Sequence, residues 1–417
     1  MSSFRPDVYL SIFRVRKALV FDLGGLLIRM FAAQVVLGIV SMLTLCGWSF
    51  LLAGSVSSVV AISTFLIGPQ VSRAVDSFGQ TKVVPLASLI ALAGLVLMLA
   101  SLQLDGPFWL CYPASVLMGF CPNAQSLARA RWTYLIETGK LGDQTPELKA
   151  VYAYEGILDD ASFMFGPSIA IALANMFFPI AGMAFGGAML LIGTVLLLVV
   201  RSTEPQPGWH SAKDDAGSQA APQGQKQRSM FLSSSLVRAL FAVVLMLGFF
   251  YSTHDTVIVA IGEQFDCPEV VSTILLVASF VSMCAGFIFG MIHLKASLPK
   301  QMLVLCICYG IGYGMMFFVN GIPMLLVVCI VSAAFYGPVI ITLNTMCERG
   351  VPSERLTESL TWVNSGYTCG SALAPIVAGL AVDIWGGFAC LKLCGIVALL
   401  VLVIGAAVQP VVRAKVR

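Results

Sequence analysis

The sequence predicts an all-α membrane protein with twelve transmembrane helices. Of its 417 residues, 58% are hydrophobic and only 11% are charged, and the mean hydropathy is +0.92, whereas a typical soluble domain carries about 25% charged residues. The apolar residues form continuous runs of about 20 residues, the length that crosses a bilayer as a helix. A membrane β-barrel would instead show alternating segments of about 10 residues. These observations exclude a water-soluble enzyme of this size.

Twelve apolar runs, each bounded by polar or turn residues, are the candidate spans. They occur as six runs, a polar segment and six further runs. The first six cover residues 27–46, 49–69, 83–102, 108–128, 151–175 and 180–200. The other six cover residues 237–259, 270–292, 302–319, 324–346, 360–382 and 388–408.

The polar segment, residues 201–235, separates an N-terminal half at 1–200 from a C-terminal half at 236–417. It contains several proline, glycine and charged residues and has too little apolar surface to form a core of its own. We therefore expect a disordered cytoplasmic linker between two six-helix halves.

Basic residues mark one side of the predicted bundle. Of the 24 Lys and Arg residues, 22 lie in the tails, in or beside the linker, or in the loops between spans two and three, four and five, eight and nine, and ten and eleven. Cytoplasmic loops retain positive charge during membrane insertion. Both termini are thus expected in the cytoplasm, with the spans in the plasma (inner) membrane.

The two halves resemble each other. Residues 27–35 and 236–244 share an aliphatic pair, an arginine and a later alanine and valine, at an offset of 209 residues. Gly166 and Pro167 in the fifth span correspond to Ala374 and Pro375 in the eleventh at an offset of 208. The near-equal offsets predict that the two halves arose by internal duplication.

The loop between spans two and three carries the most specific motif. It contains Arg73, Asp76, Gly79 and Lys82 within the sequence SRAVDSFGQTK, which resembles the G-x-x-x-D-[RK]-x-G-[RK]-[RK] signature of the major facilitator superfamily. Asp76 and Gly79 match the family and Lys82 supplies a basic residue directly after the last position of the signature, whereas other positions of the signature depart from it. The resemblance extends over the chain through span number, orientation and duplication, and implies a bacterial-type efflux permease.

In this family the loop stabilises one conformation of the transporter. Gly79 allows the unusual backbone conformation of a tight turn, and the Asp76 carboxylate can bind cations or a helix N-terminus. Because Ser77, Gln80 and Thr81 stand where the signature has basic residues, we expect a weaker lock or one with other partners.

Gly166 and Pro167 resemble the centre of the family's antiporter motif, G-x-x-x-G-P-x-x-G-G, although other residues replace three of its glycines. Proline removes a backbone donor and bends a helix, which suits a gate. The motif implies antiport. Ser115, however, stands where many proton antiporters of the family have an arginine in the fourth span, which argues against their usual route of proton coupling.

Ionisable residues inside a membrane bundle are costly and are therefore candidates for function. Arg29 in the first span is either an anchor whose long side chain extends to the cytoplasmic interface, or part of a gate or a contact for an anionic group of the substrate. Glu155 and Asp159 lie four residues apart on one face of the fifth span. Asp159 or its neighbour Asp160 is a candidate proton acceptor.

The acidic residues of the fifth span also have a structural interpretation. They are close in sequence to Arg129 and Arg131 at the end of the fourth span, and an ion-pair network with these arginines, or a gate built from it, is the alternative to proton transfer.

His254 and Asp255 in the seventh span form a second candidate pair for proton coupling or gating. Histidine titrates near neutral pH, so this pair either passes protons or marks a solvated helix end near the loop.

The substrate cavity of the family is lined mainly by spans one, four, seven and ten. Polar or aromatic residues on these spans either contact a small, neutral or amphipathic organic substrate or form hydrogen bonds between helices. These residues are Gln34, Asn123, Gln125, Thr253, Tyr336 and Asn344.

The resemblance and the buried carboxylates together predict a secondary active transporter that works by alternating access. We favour proton-coupled export of a small organic solute; an uptake symporter or uniporter of the same fold is the alternative. A membrane-embedded enzyme or a non-transporting sensor is a minor alternative, because no nucleophile motif and no soluble domain is evident.

The remaining expectations concern partners. The 12 cysteines lack the spacing of metal ligands, so we expect no metal and no cofactor. We expect a monomer in the lipid bilayer that binds a small-molecule substrate and protons, and no nucleic acid.

Overall fold

A computed structural model describes residues 12–104, 106–141, 145–146, 148–206, 230–292, 294, 296–351 and 356–415 of the chain. Within these ranges, all regular elements are α-helices or short 3-10 helices. The all-helical architecture predicted from the sequence is confirmed.

Six spans precede the linker. The first helix begins at Arg16, well before the apolar run starts at Leu27, so it includes residues that the sequence analysis placed in the N-terminal tail. The unbroken helices of this group are Arg16–Leu45, Phe50–Phe78, Gln80–Gln103, Leu148–Met176 and Ala181–Val199.

The fourth span is broken into two helices, Cys111–Met118 and Ala124–Glu137. Pro122 lies in the break and has no backbone N–H to continue a helix. The side chain of Asn123 accepts a hydrogen bond from the Ser126 backbone N–H at 3.1 Å, and this N-cap starts the second helix.

Six spans follow the linker. The seventh, eighth and eleventh are single helices, the ninth continues into a 3-10 turn, and the tenth and twelfth each consist of two consecutive helices. Their bounds are Ser235–Gln264, Pro268–Met291, Leu298–Gly314 with Met315–Phe318, Ile322–Ala333 with Tyr336–Gly350, Leu356–Trp385, and Leu391–Ala407 with Gln409–Lys415.

The number of helices agrees with the twelve predicted spans. In the described part of the chain, ten helices are long and apolar enough to cross a membrane, and an eleventh is counted when Leu391–Ala407 and Gln409–Lys415 are taken as one bent span. The broken fourth span contributes a shorter apolar helix, Phe108–Met118.

The chain forms two compact units that are divided within the linker, between Gly224 and Gln225, except that one earlier segment belongs to the second unit. The N-terminal unit comprises Met1–Gly38 and Ile62–Gly224, and the C-terminal unit comprises Ile39–Ala61 and Gln225–Arg417. The end of the first helix and the start of the second therefore belong to the C-terminal unit.

Two carboxylates of the C-terminal unit bind this segment. Asp383 in the eleventh span accepts hydrogen bonds from the backbone N–H groups of Phe50, at 2.9 Å, and Leu51, at 2.8 Å. These N–H groups have no partner inside their own helix. Glu263 in the seventh span accepts a hydrogen bond from the Thr44 hydroxyl.

Small residues let neighbouring helices approach closely within each unit. Gly182 in the sixth span lies against the backbone of Ala170 in the fifth, and Gly54 in the second helix lies against the backbone of Pro375 in the eleventh. Such contacts provide the close van der Waals packing that stabilises helix pairs in a membrane.

The linker is structured at its described ends. Residues Arg201–Thr203 form a 3-10 turn and Met230–Ser233 a short helix. Glu204 accepts hydrogen bonds from the Thr81 hydroxyl and, at 2.8 Å, from the Thr81 backbone N–H. Residues 207–229 lie outside the described part of the chain, and disorder there stays a prediction.

Candidate functional site

The N-terminal unit contains four charged side chains from the first and fifth spans, Asp22, Arg29, Glu155 and Asp159, which we call the acid–arginine cluster. Asp22 and Arg29 lie seven residues apart on one face of the first helix, and they are only 2% and 5% exposed. Glu155 and Asp159 share one face of the fifth helix because they are four residues apart.

Arg29 binds both carboxylates of the fifth span. Its Nη2 atom donates to Oε2 of the fully buried Glu155, and its Nε atom lies 3.7 Å from Oδ1 of Asp159. These pairings and the burial of the Arg29 side chain favour a gate over an anchor at the membrane interface.

Asp22 is the member of the cluster that the sequence analysis missed. Trp132 Nε1 donates to Asp22 Oδ1 at 3.0 Å, and the Asp22 carboxyl also interacts directly with that of Glu155. The predicted first span began only at Leu27, which left Asp22 in the tail. Its seven-residue spacing from Arg29 was the available signal, because this spacing places both on one helix face.

The acid–arginine cluster has more acidic than basic groups. Asp22 and Glu155 place two carboxyl groups in contact beside the single guanidinium of Arg29. Mutual repulsion and the loss of water both oppose ionisation of the second acid. The cluster is therefore suited to hold one proton between two acids, and its release changes the charge that faces Arg29.

The two arginines of the fourth span have different surroundings. Arg131 is buried and donates to Gln80 Oε1 at 2.7 Å and to Thr203 Oγ1 at 3.1 Å, and among the described side chains it forms no ion pair with the fifth-span carboxylates. Arg131 therefore connects the fourth span to the third span and to the start of the linker by hydrogen bonds. Arg129 lies close enough to Asp159 to interact with its charge.

Close contact between the first and fifth spans brings the cluster together. A Cβ atom on Gly166 would lie 3.0 Å from the backbone oxygen of Met30, closer than most Cβ contacts, so a side chain here would push the two helices slightly apart. Pro167 follows inside the same helix. The side chain of Asp160 lies outside the described residues.

The C-terminal unit contains a second cluster, centred on His254, which is 3% exposed. The Nδ1 atom of His254 lies 3.0 Å from Asp255 Oδ1, and its Nε2 atom lies 3.4 Å from Cys329 Sγ. A neutral imidazole can donate to the carboxylate and accept from the thiol, and an imidazolium can donate to both. His254 thus keeps both partners in either protonation state, and its burial contradicts a solvated helix end.

Aromatic rings surround His254, and we call the whole group the His–Tyr cluster. The rings of Phe250 and Tyr313 each lie 5.7 Å from the imidazole, and Tyr309 lies 5.0 Å from Tyr313. The Tyr309 hydroxyl is buried and has no hydrogen-bond partner among the described residues.

Asp255 lies on the less buried side of the His–Tyr cluster, where its side chain is 28% exposed. The rings of Tyr251 and Tyr336 are 4.3 Å apart, and the Asp255 carboxylate interacts electrostatically with the phenols of Tyr251 and Tyr367. The seventh and eleventh spans thus place two tyrosines near one carboxylate, and Tyr336 of the tenth span contacts Tyr251.

The substrate-contact candidates of the N-terminal unit do not meet at one site. Gln34 is fully buried against Gly186 of the sixth span, and its amide atoms have no hydrogen-bond partner in the described part of the chain. Asn123 is the exposed helix cap of the fourth span, and Gln125 is half-buried beside it.

The candidates of the C-terminal unit are also dispersed. Thr253 is fully buried, and its hydroxyl lacks a hydrogen-bond partner among the described atoms. Tyr336 belongs to the His–Tyr cluster. Asn344 is half-buried farther along the tenth span.

The loop between spans two and three contains a tight turn. Gly79 has φ +89°, a region that residues with a side chain rarely adopt. Arg73, Asp76 and Lys82 are exposed. Glu204 in the linker binds the backbone that follows the turn, so this loop has a partner outside the signature.

In the residues that the structure describes, no group of three or more His, Cys, Asp or Glu side chains is placed to hold a metal ion.

Comparison with known proteins identifies the family and the fold. The family model for the Major Facilitator Superfamily matches residues 23–358. No curated protein sequence matches the chain.

Several solved transporters share the fold at low sequence identity. The nucleoside transporter NupG superposes with a TM-score of 0.70 at 13% identity, covering 95% of this chain and 98% of that chain. A bacterial homologue of the iron transporter ferroportin, in an inward-facing state, gives 0.69 at 15% identity with 95% and 98% coverage. An auto-inhibited peptide transporter of the POT family gives 0.66 at 13% identity with 96% and 97% coverage.

The family model covers most of the chain, and the solved structures match it over nearly its whole length. The chain therefore belongs to the major facilitator superfamily.

Proposed function

We propose that this protein is a secondary active transporter, not an enzyme, that exports a small organic solute in exchange for protons. The observation that carries the proposal is the acid–arginine cluster, in which two contacting carboxyls share one guanidinium inside a membrane helix bundle. A structural ion pair needs one carboxylate, so the second acid calls for a function.

Proton binding at this cluster has a direct mechanical consequence. When the cluster binds a proton, the negative charge opposite Arg29 decreases, and the electrostatic contact between the first and fifth spans weakens. When the proton leaves, the contact strengthens. Asp159, whose side chain is 31% exposed, provides a connection to water, with Asp160 beside it and His254 as a second proton carrier in the C-terminal unit.

Alternating access converts such a local change into transport, because two six-helix halves expose a central site to one side at a time. The Gly166–Pro167 sequence, which resembles part of the antiporter motif, favours export. We place the protein in the plasma membrane with both termini in the cytoplasm, as a monomer whose halves are joined by the linker at 201–235.

Transport assays in proteoliposomes test the proposal. An imposed pH gradient is expected to drive movement of at least one solute from a panel containing a nucleoside, a dipeptide and a quaternary ammonium ion, with proton flux in the opposite direction. Binding members of the panel are found first by the rise in thermal stability that they cause.

The variant Asp22→Asn separates transport from proton coupling. Its side-chain oxygen can still accept the Trp132 hydrogen bond, but the amide cannot share a proton with Glu155. We expect solute exchange to persist while gradient-driven accumulation falls about tenfold or more.

The exposed carboxylate variant Glu348→Gln is the matched control and should accumulate solute normally. Solute movement that is indifferent to pH contradicts proton coupling and indicates a uniporter. Solute and proton movement in the same direction indicates an uptake symporter.

A further inference from the structure

A cavity at one end of the C-terminal unit lies apart from both charged clusters. It has a volume of about 160 Å³ and is lined by the loop between spans eight and nine, by the first turn of the ninth span and by Arg349 from the tenth span. We infer that this cavity binds the phosphate of an anionic phospholipid whose acyl chains lie along the ninth span. The inference does not rest on the proposed function.

Arg349 gives the cavity its positive charge. The residue is exposed, and its guanidinium forms no ion pair or hydrogen bond with the described residues. Glu348 precedes it, but neighbouring positions of a helix do not face each other. A guanidinium presents a planar fork of N–H donors that matches the oxygens of a phosphate. Arg349 therefore offers an anion-binding group at the wall of the cavity.

The size of the cavity fits a headgroup and not a whole solute. A water molecule occupies about 30 Å³ in the liquid, so a cavity of 160 Å³ holds about five waters. Pockets that enclose a small-molecule ligand typically measure about 300–1,000 Å³. A phosphate group with a few waters is a suitable occupant, and the rest of its molecule must then lie outside the cavity.

The last helix of the chain brings further positive charge to this place. The side-chain amide of the buried Gln409 donates to the backbone oxygen of Pro299 at 2.9 Å, and Pro299 lines the cavity. Arg413 Nε in turn donates to Gln409 Oε1 at 3.3 Å. The helix continues the twelfth span after a bend of 43°, and its Arg413 and Lys415 are exposed. Basic side chains beside a membrane surface attract anionic lipids.

An exposed apolar face of the ninth span leads away from the cavity. Val304 and Ile311 are exposed, and their spacing of seven residues places them on one side of the helix. Lys300, also exposed, precedes Val304 by four residues on the same side. Leu294 at the cavity wall is a further exposed apolar residue. A positive end followed by an apolar stripe matches a phospholipid, in which a charged headgroup is followed by acyl chains.

Charge and shape together select an anionic lipid over two other ligands. Inorganic phosphate would bind Arg349 but leave the apolar face of the ninth span without an occupant. Phosphatidylcholine would occupy that face, but its quaternary ammonium would be repelled by Arg349, Lys300 and Arg413. An anionic headgroup such as that of phosphatidylglycerol has neither disadvantage.

Titration of the purified full chain in detergent micelles tests the inference. Phosphatidylglycerol and phosphatidylcholine with the same acyl chains differ only in the headgroup, and native mass spectrometry counts the bound lipid. We expect phosphatidylglycerol to bind at least about fivefold more tightly. Equal affinities overturn the inference. Glycerol phosphate, which is the headgroup without acyl chains, should not displace the lipid at equal concentration; displacement would show a site for a soluble anion and also overturns the inference.

Arginine variants locate the binding site. Arg349→Gln should weaken phosphatidylglycerol binding about fivefold or more, and Arg349→Lys, which keeps the charge but loses the planar fork, by a smaller factor. Arg238→Gln is the matched control, because Arg238 is also an exposed arginine of the C-terminal unit but donates to backbone carbonyls. Its affinity should stay within about twofold of the parent chain. Equal losses for Arg349→Gln and Arg238→Gln would show a general attraction to basic residues and overturn a defined site.

A cavity-filling variant tests the cavity without changing its charge. Ser297 lines the cavity, and its side chain makes no cap hydrogen bond to the ninth span. Ser297→Phe therefore fills space without removing a charge or a helix cap, and it should weaken phosphatidylglycerol binding about as much as Arg349→Gln. The thermal midpoint of each variant without added lipid checks that it is folded. Unchanged lipid binding in a folded Ser297→Phe chain overturns the inference.

Discussion

The acid–arginine cluster and the corresponding positions of the C-terminal unit show what happened to a charged site after the predicted duplication. By the offsets of 209 and 208 residues, Asp22 and Arg29 correspond to Phe231 and Arg238, and Glu155 and Asp159 correspond to Val363 and Tyr367. Only the arginine is the same in both.

The surroundings of the two arginines differ accordingly. Arg29 is buried between carboxylates. Arg238 is exposed and donates to the backbone carbonyls of Phe231 and Leu232, while the Phe231 ring packs on Trp362 at 5.0 Å.

The different surroundings of Arg29 and Asp255 offer two chemically different sites for a proton. In the N-terminal unit the cation is an arginine, which stays charged, so a proton must reside on an acid. In the C-terminal unit the positions that correspond to the three acids are apolar or aromatic, and the ionisable partner of Asp255 is a histidine, a residue type that itself gains and loses a proton. The two units are therefore specialised, although their helices correspond.

The largest effect is expected when the two corresponding arginines, Arg29 and Arg238, are replaced. Arg29→Gln leaves buried carboxylates without their cation and should lower the free energy of unfolding by about 3–5 kcal/mol. Arg238→Gln removes only exposed hydrogen bonds and should cost about 1 kcal/mol or less. Chemical unfolding in mixed micelles measures both.

The double variant Arg29→Gln/Glu155→Gln checks the cause, because it removes both charges of the pair. We expect it to recover part of the lost stability. Equal losses for Arg29→Gln and Arg238→Gln contradict the comparison.

A smaller effect is expected at the two tryptophans. Trp132→Phe removes the N–H donor of the buried Asp22 carboxyl and should cost about 1–3 kcal/mol. Trp362→Phe retains an aromatic ring against Phe231 and should cost less. Unfolding in the same micelles compares them, and a larger loss for Trp362→Phe would show that ring size matters here more than the hydrogen bond.

The smallest effect concerns a hydroxyl in the His–Tyr cluster. Tyr309→Phe removes an oxygen that has no described partner, so stability should stay within about 0.5 kcal/mol or rise. Tyr313→Phe removes a hydroxyl that interacts with Tyr251 and should cost about 1 kcal/mol. Thermal unfolding midpoints of the two variants test this expectation. A marked loss of stability in Tyr309→Phe would show that the Tyr309 hydroxyl has a hydrogen-bond partner.

Hydropathy was sufficient to predict the fold, because span length and apolar character are local properties of the sequence. The acid–arginine cluster was only partly predictable. Arg29, Glu155 and Asp159 stood out as charges in apolar runs, but their pairing joins residues 126 apart and depends on how helices rotate and approach at Gly166. Asp22 was missed because an apolar run does not show where its helix begins.

The start of the second helix has a consequence for synthesis of the chain. Its first N–H groups bind Asp383, which lies 333 residues after Phe50. At a translation rate of about 5–20 residues per second, Asp383 is made about 17–67 s after Phe50. During that interval the hairpin of the first two helices is complete but lacks its final partner. Because these N–H groups lie at an exposed helix end, water or lipid headgroups can satisfy them until the eleventh span arrives.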